Sequence, residues 1–182
     1  MKNSTKKLET DRLVLRKFKE DDYQAMFDYW ASDESVASGA GWPKHENSED
    51  TKGLVKMWVD EYKEENVFNW IIELKKEHPI GSITVVRKDL GNHTCELGYN
   101  IGSKYWNNGY ATEAIHTVVD YLFQTGLFDV ITAQCFEHNK ASIRVLEKNG
   151  FVKEGVLRNR YIVNNKKVNL VELSLLKEEY EG

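Results

Sequence analysis

The sequence predicts a mixed α/β domain, and three observations predict it. Short stretches with strand patterning alternate with longer stretches whose apolar residues recur at helical spacing. Three strand candidates, Phe68–Leu74, Ile80–Arg87 and Thr94–Ile101, follow one another through turn residues alone, which favours an antiparallel meander. A helical pattern then separates Thr94–Ile101 from the strand Val130–Phe136, and a helix between two strands suits a parallel crossover. With 182 residues, 41% of them hydrophobic, the chain can bury one full-sized core, so a single domain over residues 1–182 is expected.

The elements follow in order. Leu13–Phe18 alternates apolar and basic residues as a strand does, and Glu20-Asp21-Asp22 supplies acidic first-turn chemistry to a helix with Tyr23, Met26, Phe27 and Trp30 on one face. The polar stretch Ser32–Asn47, with Gly39, Gly41, Trp42 and Pro43, reads as a loop. Ser48 is expected to cap a second helix carrying Leu54, Val55, Trp58 and Tyr62. Glu77-His78-Pro79 and Leu90-Gly91-Asn92 join the strands of the meander. Ala111, Ala114, Ile115, Val118, Val119, Leu122 and Phe123 mark the crossover helix, which Gly126 stops. A short helix, Lys140–Lys148, ends at Asn149-Gly150, and two strands flank Asn164-Asn165, a pair suited to positive φ. The expected order is β-α-α-β-β-β-α-β-α-β-β, with seven strands.

Composition excludes several function classes. Lys and Arg number 25 against 29 Asp and Glu, a net charge of -4, and the signs are mixed along the chain. That argues against a nucleic-acid binder. No run approaches the roughly 18 apolar residues of a membrane span, and Met1–Lys7 lacks the apolar stretch of a secretory signal, so a cytoplasmic protein is expected. Cys95 and Cys135 are too few for a disulfide framework and read as buried thiols. His45, His78, His93 and His138 fall in loops without metal-ligand spacing, and no metal is expected.

The densest chemical signal runs from Glu96 to Ala114. A strand enters a tight turn of Asn107, Asn108 and Gly109, and an amphipathic helix starts at once. Asn and Gly tolerate left-handed backbone angles, so successive N–H groups can converge ahead of a helix whose own first-turn amides are unpaired. The helix macrodipole adds about half a positive charge there. This is an anion cradle. No Gly-Lys-Ser/Thr follows it and no Gly-x-Gly-x-x-Gly occurs in the chain, which disfavours ATP and NAD.

Trp106-Asn107-Asn108-Gly109-Tyr110-Ala111-Thr112-Glu113-Ala114 resembles the acetyl-coenzyme A pyrophosphate loop of the GNAT acetyltransferase superfamily. Glu96-Leu97-Gly98-Tyr99, the run Asn139–Phe151 and Thr10–Arg16 are similar to the branch holding the ribosomal-protein-alanine N-acetyltransferases (RimJ/RimL-like). The resemblance implies a mostly antiparallel seven-stranded sheet with helices on both faces. Its fourth and fifth strands, Thr94–Ile101 and Val130–Phe136, should splay apart. It also implies that the backbone of Tyr99, Asn100 and Ile101 bonds the pantetheine arm. The amides of Asn107, Asn108, Gly109, Tyr110, Ala111 and Thr112 would hold the pyrophosphate, and Asn139 would contact the cofactor or simply cap its helix.

The chain departs from the family at its usual proton carriers. Leu146 stands where many relatives carry a general-acid Tyr, and Gln134 where some N-terminal acetyltransferases carry Glu. Glu96, on the central strand, is then the candidate base, acting through water, and Ser142 the candidate donor to the leaving thiolate. The expected activity is acetyl transfer from acetyl-coenzyme A (acetyl-CoA) to a primary amine, on a protein N-terminus (a ribosomal protein by branch) or a small molecule, by direct transfer. A CoA-binding sensor that lost its acid is the other reading. Neither nucleic acid nor membrane is an expected partner, and a homodimer stays open. Trp42 is a candidate acceptor contact.

Overall fold

The computed structural model describes residues 4–163 and 165–180. Met1–Asn3 of the N-terminal stretch and Asn164 of the expected turn lie outside them; Asn165 has φ 60°, as a turn there requires. Eight strands form one sheet: β1 (Leu8–Glu9), β2 (Leu13–Arg16), β3 (Asn69–Leu74), β4 (Pro79–Asp89), β5 (Thr94–Ile101), β6 (Val130–Phe136), β7 (Val152–Val163) and β8 (Lys166–Leu176). Their spatial order is β1-β2-β3-β4-β5-β6-β8-β7. Every neighbouring pair is antiparallel except β5 and β6. Five α-helices accompany them: α1 (Asp22–Met26), α2 (Glu34–Ala40), α3 (Ser48–Glu61), α4 (Tyr110–Gln124) and α5 (Lys140–Lys148).

The middle of the sheet is buried on both faces, and alternation along β3 shows how. Trp70 and Ile72 join the larger core with α4 and α5, whereas Ile71 faces Phe18, Met26, Trp30 and Val55 in a second core built from the α1–α3 region. Residues with period two thus serve two cores, and Trp70-Ile71-Ile72 is apolar without a break.

Four expectations are corrected. The sheet has eight strands rather than seven, because Leu8 and Glu9 fold back on Leu15 and Val14. Two residues are too short to leave a period in the sequence. The stretch Ser32–Asn47 is not all loop: it contains α2, whose Asp33 cap accepts the Ser35 amide at 2.9 Å and whose end is Gly41 at φ 81°. Its composition of Ser, Gly and Ala hid the helix, which both ends nonetheless announce. Asn47, not Ser48, caps α3, accepting from the Asp50 amide at 3.1 Å. The first helix is α1 only as far as Met26; a π-helical turn, Phe27–Ala31, follows, with the Ser32 hydroxyl donating to the Phe27 carbonyl at 2.7 Å.

That π-helical turn positions the site. It carries the Tyr29 carbonyl against Gly102, where a Cβ would stand 2.3 Å from the oxygen. Gly102 ends β5 and opens the 3-10 turn Ser103–Tyr105 that leads into the cradle. Tyr29 also stacks on His78, 4.5 Å between centroids, and His78 Nε2 lies 2.5 Å from the Tyr105 hydroxyl. Among the described residues no helix is long and apolar enough to cross a membrane.

Gly102→Ala is expected to lower unfolding free energy by about 1–3 kcal/mol, the usual cost of forcing a methyl group into a filled site, read as an earlier urea midpoint. An unchanged midpoint would show that the Tyr29 turn can move away freely.

Candidate active site

The parallel pair β5–β6 holds for three rungs only: Thr94 with Val130, Cys95 with Ile131, Glu96 with Thr132. Beyond them β5 remains paired to β4 as far as Ile101, and β6 to β8 as far as Phe136. The two strands therefore diverge after Glu96, and the wedge between them is flanked by the backbone of Tyr99, Asn100 and Ile101. Trp106, 45% exposed, sits at the wide end and donates its indole N–H to the Ile101 carbonyl at 2.7 Å. One acceptor expected to be free on that edge is thus taken by the chain itself.

The turn ahead of α4 has the expected backbone. Asn107 has φ 63° and Gly109 φ 80°, the left-handed region that a side chain resists and Gly does not. The Asn108 side-chain amide donates to the carbonyls of Trp106 at 2.9 Å and Tyr105 at 3.2 Å, closing the turn. The first helical bond runs from the Glu113 amide to the Gly109 carbonyl at 3.1 Å. Among the described residues, the amides of Asn107, Asn108, Gly109, Tyr110, Ala111 and Thr112 donate to no acceptor of the chain. Six consecutive free donors at the positive end of a four-turn helix form a concavity of the kind that can receive an anion.

On the face carrying α4 and α5, Asn139 caps α5 by accepting the Ser142 amide at 3.1 Å and donates to the Gly39 carbonyl at 3.4 Å. It ties α5 to α2 across the wedge. The Ser142 hydroxyl lies 2.7 Å from the Tyr99 hydroxyl, and burial raises the Tyr99 phenol above its usual range despite that bond. Leu146 is 1% exposed and belongs to the core. Both cysteines are buried; burial alone pushes the Cys95 thiol up to about 12, which suits a packed thiol and not a nucleophile.

The opposite face carries Glu96, 17% exposed, with Arg87 Nη1 at 3.6 Å from its carboxylate. Burial raises the Glu96 carboxyl above its usual value; Arg87 opposes the shift and Glu172 adds to it. Glu172 faces Gln134 across β6–β8 and accepts from its side-chain amide at 2.6 Å. Glu96 and Ser142 thus stand on opposite sides of the sheet with the wedge between them. The far end of this face is walled by Phe136 and Tyr161, rings 5.6 Å apart, with the Tyr161 hydroxyl reaching the Gly41 carbonyl at 3.4 Å. Trp42 packs into the α1–α3 core beside His45. Exposed His116, on α4, meets Tyr180 at 3.4 Å and is remote from the wedge.

Two groups here escaped the sequence reading. The Tyr99 phenol was counted only for its backbone, because no spacing rule joins β5 to the first turn of α5. Glu172 pairs with Gln134 through a strand made after α5, and only the sheet order brings it beside Glu96.

The arrangement has parallels among known proteins. The profile of the family described as "Acetyltransferase (GNAT) domain" matches residues 12–152. The Bacillus subtilis protein named "Uncharacterized N-acetyltransferase YoaA" is 36% identical over 159 residues, 87% of this chain and 89% of its own. The ribosomal protein uS5-alanine N-acetyltransferase of Escherichia coli is 27% identical over 87% of this chain and 84% of its own. A crystal structure of a GNAT-family acetyltransferase from Bacillus anthracis superposes with a TM-score of 0.82 at 30% identity, covering 96% of this chain and 100% of that one.

A carboxyl with a raised folded-state pKa favours the fold below its unfolded value, 4.5, and that contribution is lost as pH rises through the folded value. Glu96→Gln is therefore expected to melt above the parent near neutral pH, with the gap closing at about pH 4. Calorimetric melting temperatures across this range check it; a gap of opposite sign would mean that the Arg87 pairing outweighs burial.

Proposed function

The chain belongs to the GNAT acetyltransferases, and on that premise we propose that it moves an acetyl group from acetyl-CoA to a primary amine by direct transfer in a ternary complex. The whole of residues 1–182 works as one domain, in the cytoplasm. The observation that carries this reading is the junction of two features: a wedge opening beyond Glu96 and six free amides at its wide end. A thioester-bearing arm fits the first, and a pyrophosphate the second.

In this reading the amides of Asn107–Thr112 hold the pyrophosphate, the β5 edge from Tyr99 to Ile101 aligns the arm, and Asn139 closes the wedge from α5. The amine nitrogen attacks the thioester carbonyl; its N–C bond forms as the C–S bond breaks. The proton leaving the ammonium passes through water to Glu96, whose raised pKa suits proton acceptance near neutral pH. The departing sulfur takes a proton from Ser142, and the Tyr99 phenol donates a hydrogen bond to the serine oxygen left behind until water in the open wedge returns the proton. The pair replaces the acid that Leu146 cannot supply. Glu96 and Glu172 on the acceptor side favour a cationic amine, and the relationship to an enzyme acting on a ribosomal-protein alanine supports a protein N-terminus as acceptor. The buried Leu146 is the observation favouring the other reading, a CoA-binding sensor without turnover.

Thiol release from acetyl-CoA, followed with alanine-starting peptides, polyamines and amino acids, separates the two. The wild-type chain is expected to turn over with at least one amine class. Glu96→Gln should lower kcat about 10²-fold at pH 7, with a deficit that shrinks at high pH where the amine is already neutral. Binding of acetyl-CoA without turnover on any amine would favour the sensor, and no binding at all would overturn both readings. Gly109→Val should raise the dissociation constant for acetyl-CoA at least about tenfold, because a branched residue cannot hold φ 80°.

A further inference from the structure

Nothing in the reading above uses Arg12, yet the cradle is built against it. Thr10, Asp11 and Arg12 form the turn between β1 and β2, and the Leu13 amide closes it on the Thr10 hydroxyl at 2.8 Å. The Arg12 carbonyl accepts from the Lys75 amide at 3.0 Å, anchoring the turn to the end of β3. From this fixed base the Arg12 side chain crosses to the start of α4. Its Nε lies 2.7 Å and its Nη2 2.6 Å from Glu113 Oε2, and its Nη1 donates to the Asn108 carbonyl at 2.9 Å. The guanidinium carbon lies 4.6 Å from the centre of the Tyr110 ring. The Arg12 amide, at 3.1 Å, and the Thr10 hydroxyl both donate to Glu113 Oε1.

Two physical problems meet at this spot. The first is the peptide joining Asn108 to Gly109. A trans peptide points its C=O and N–H in opposite directions, so whichever group holds the carbonyl decides where the next N–H aims. Gly109 accepts either sign of φ at little cost, which leaves that peptide free to flip unless something holds it. The second is Glu113, a carboxylate in the first turn of the helix. Negative charge there is welcome to the helix dipole, but it repels an incoming anion. Burial works to neutralise this carboxyl, yet the hydrogen bonds from Thr10 and Arg12 outweigh burial and keep it ionised.

We propose that Arg12 is a positioning residue for the diphosphate of the acyl donor: by holding the Asn108 carbonyl it aims the Gly109 N–H into the cradle, and by pairing with Glu113 it cancels the charge that would oppose the phosphates. This rests on the acetyl-CoA reading of the cradle. A lysine could satisfy one of the two acceptors but not both, because only the planar fork of guanidinium donates in several fixed directions at once. The Tyr110 ring beneath it fixes the plane of the fork.

The test compares two donors, acetyl-CoA and S-acetylpantetheine, which lacks the diphosphate, in the wild-type chain and in Arg12→Ala, Arg12→Lys and Arg12→Ala with Glu113→Gln. Arg12→Ala should raise KM for acetyl-CoA by about tenfold or more, the loss expected for a charged hydrogen bond, with kcat within about threefold. Its effect on S-acetylpantetheine should be several-fold smaller. Arg12→Lys should fall between, and adding Glu113→Gln to Arg12→Ala should recover part of the loss by removing the bare charge. Equal losses on both donors would mean that Arg12 merely holds the fold, and an unchanged KM for acetyl-CoA would mean that the cradle holds itself; either overturns the proposal. If Arg12→Ala does not fold, the same donor comparison on Arg12→Lys decides. A wild-type chain that binds no CoA by calorimetry would fail at the earlier step, the reading of the cradle, and is seen before any variant is made.

Discussion

A backbone group taken out of a ladder has to find another partner, and among the described residues a run of unpaired backbone groups lies where β5 and β6 part. Beyond the rung of Glu96 and Thr132, β5 and β6 cease to pair, and a few residues later the chain turns into α4 with six amides unspent. The cost of leaving them so would be severe inside a core and is small at an edge open to solvent or ligand. The rest of the architecture keeps that edge open. β4 and β8 hold the two diverging strands on their outer sides, the Tyr29 turn braces Gly102, and Asn139 fixes the distance between α5 and α2. A parallel pair in an otherwise antiparallel sheet is the natural place for the opening, since its strands are joined by a helix rather than by a tight turn and can separate at one end.

The same opening sorts chemistry by face. Side chains alternate along β5, so Glu96 lies on one side of the sheet and Tyr99 on the other. The Glu96 carboxyl, raised by burial, and the Tyr99–Ser142 hydroxyl pair therefore flank one wedge from opposite sides of the sheet. The raised Glu96 carboxyl also shows a common tension: the partial burial that raises its pKa costs the fold stability when the group is charged.

How much of this could be read in the sequence depended on whether the physics was local. Asn107, Asn108, Gly109 and the periodic residues of α4 each announce their conformation within a few positions, and the turn with its unpaired amides was legible for that reason. The bounds of β5, β6 and α5 were read to the residue, and so was the parallel crossover. The helix α2 was missed because Glu34–Ala40 has weak helix formers and only its caps, Asp33 and Gly41, speak for it. The strand β1 was missed because two residues have no period. Glu172 and the Tyr99 phenol were missed for a deeper reason. Each gains its neighbour through strand order or helix docking, and no interval along the chain encodes either. Trp106 shows the converse: it stands in the turn motif read from the sequence, but that its indole would occupy the Ile101 carbonyl followed from three-dimensional geometry alone.

The position of β8 in the sheet has a bearing on how the protein comes into being. β8 lies between β6 and β7, so the outer side of the wedge's β6 wall is completed by the strand that is synthesised after all the others. There is thus an interval in synthesis when β6, α4 and the cradle have been made and the strand that braces them has not. For that interval β6 is an edge strand with an unpaired ladder on each side of its far half, in the stretch Ala133–Phe136. Over that interval the far half of β6, which walls the wedge, is open to wrong pairing.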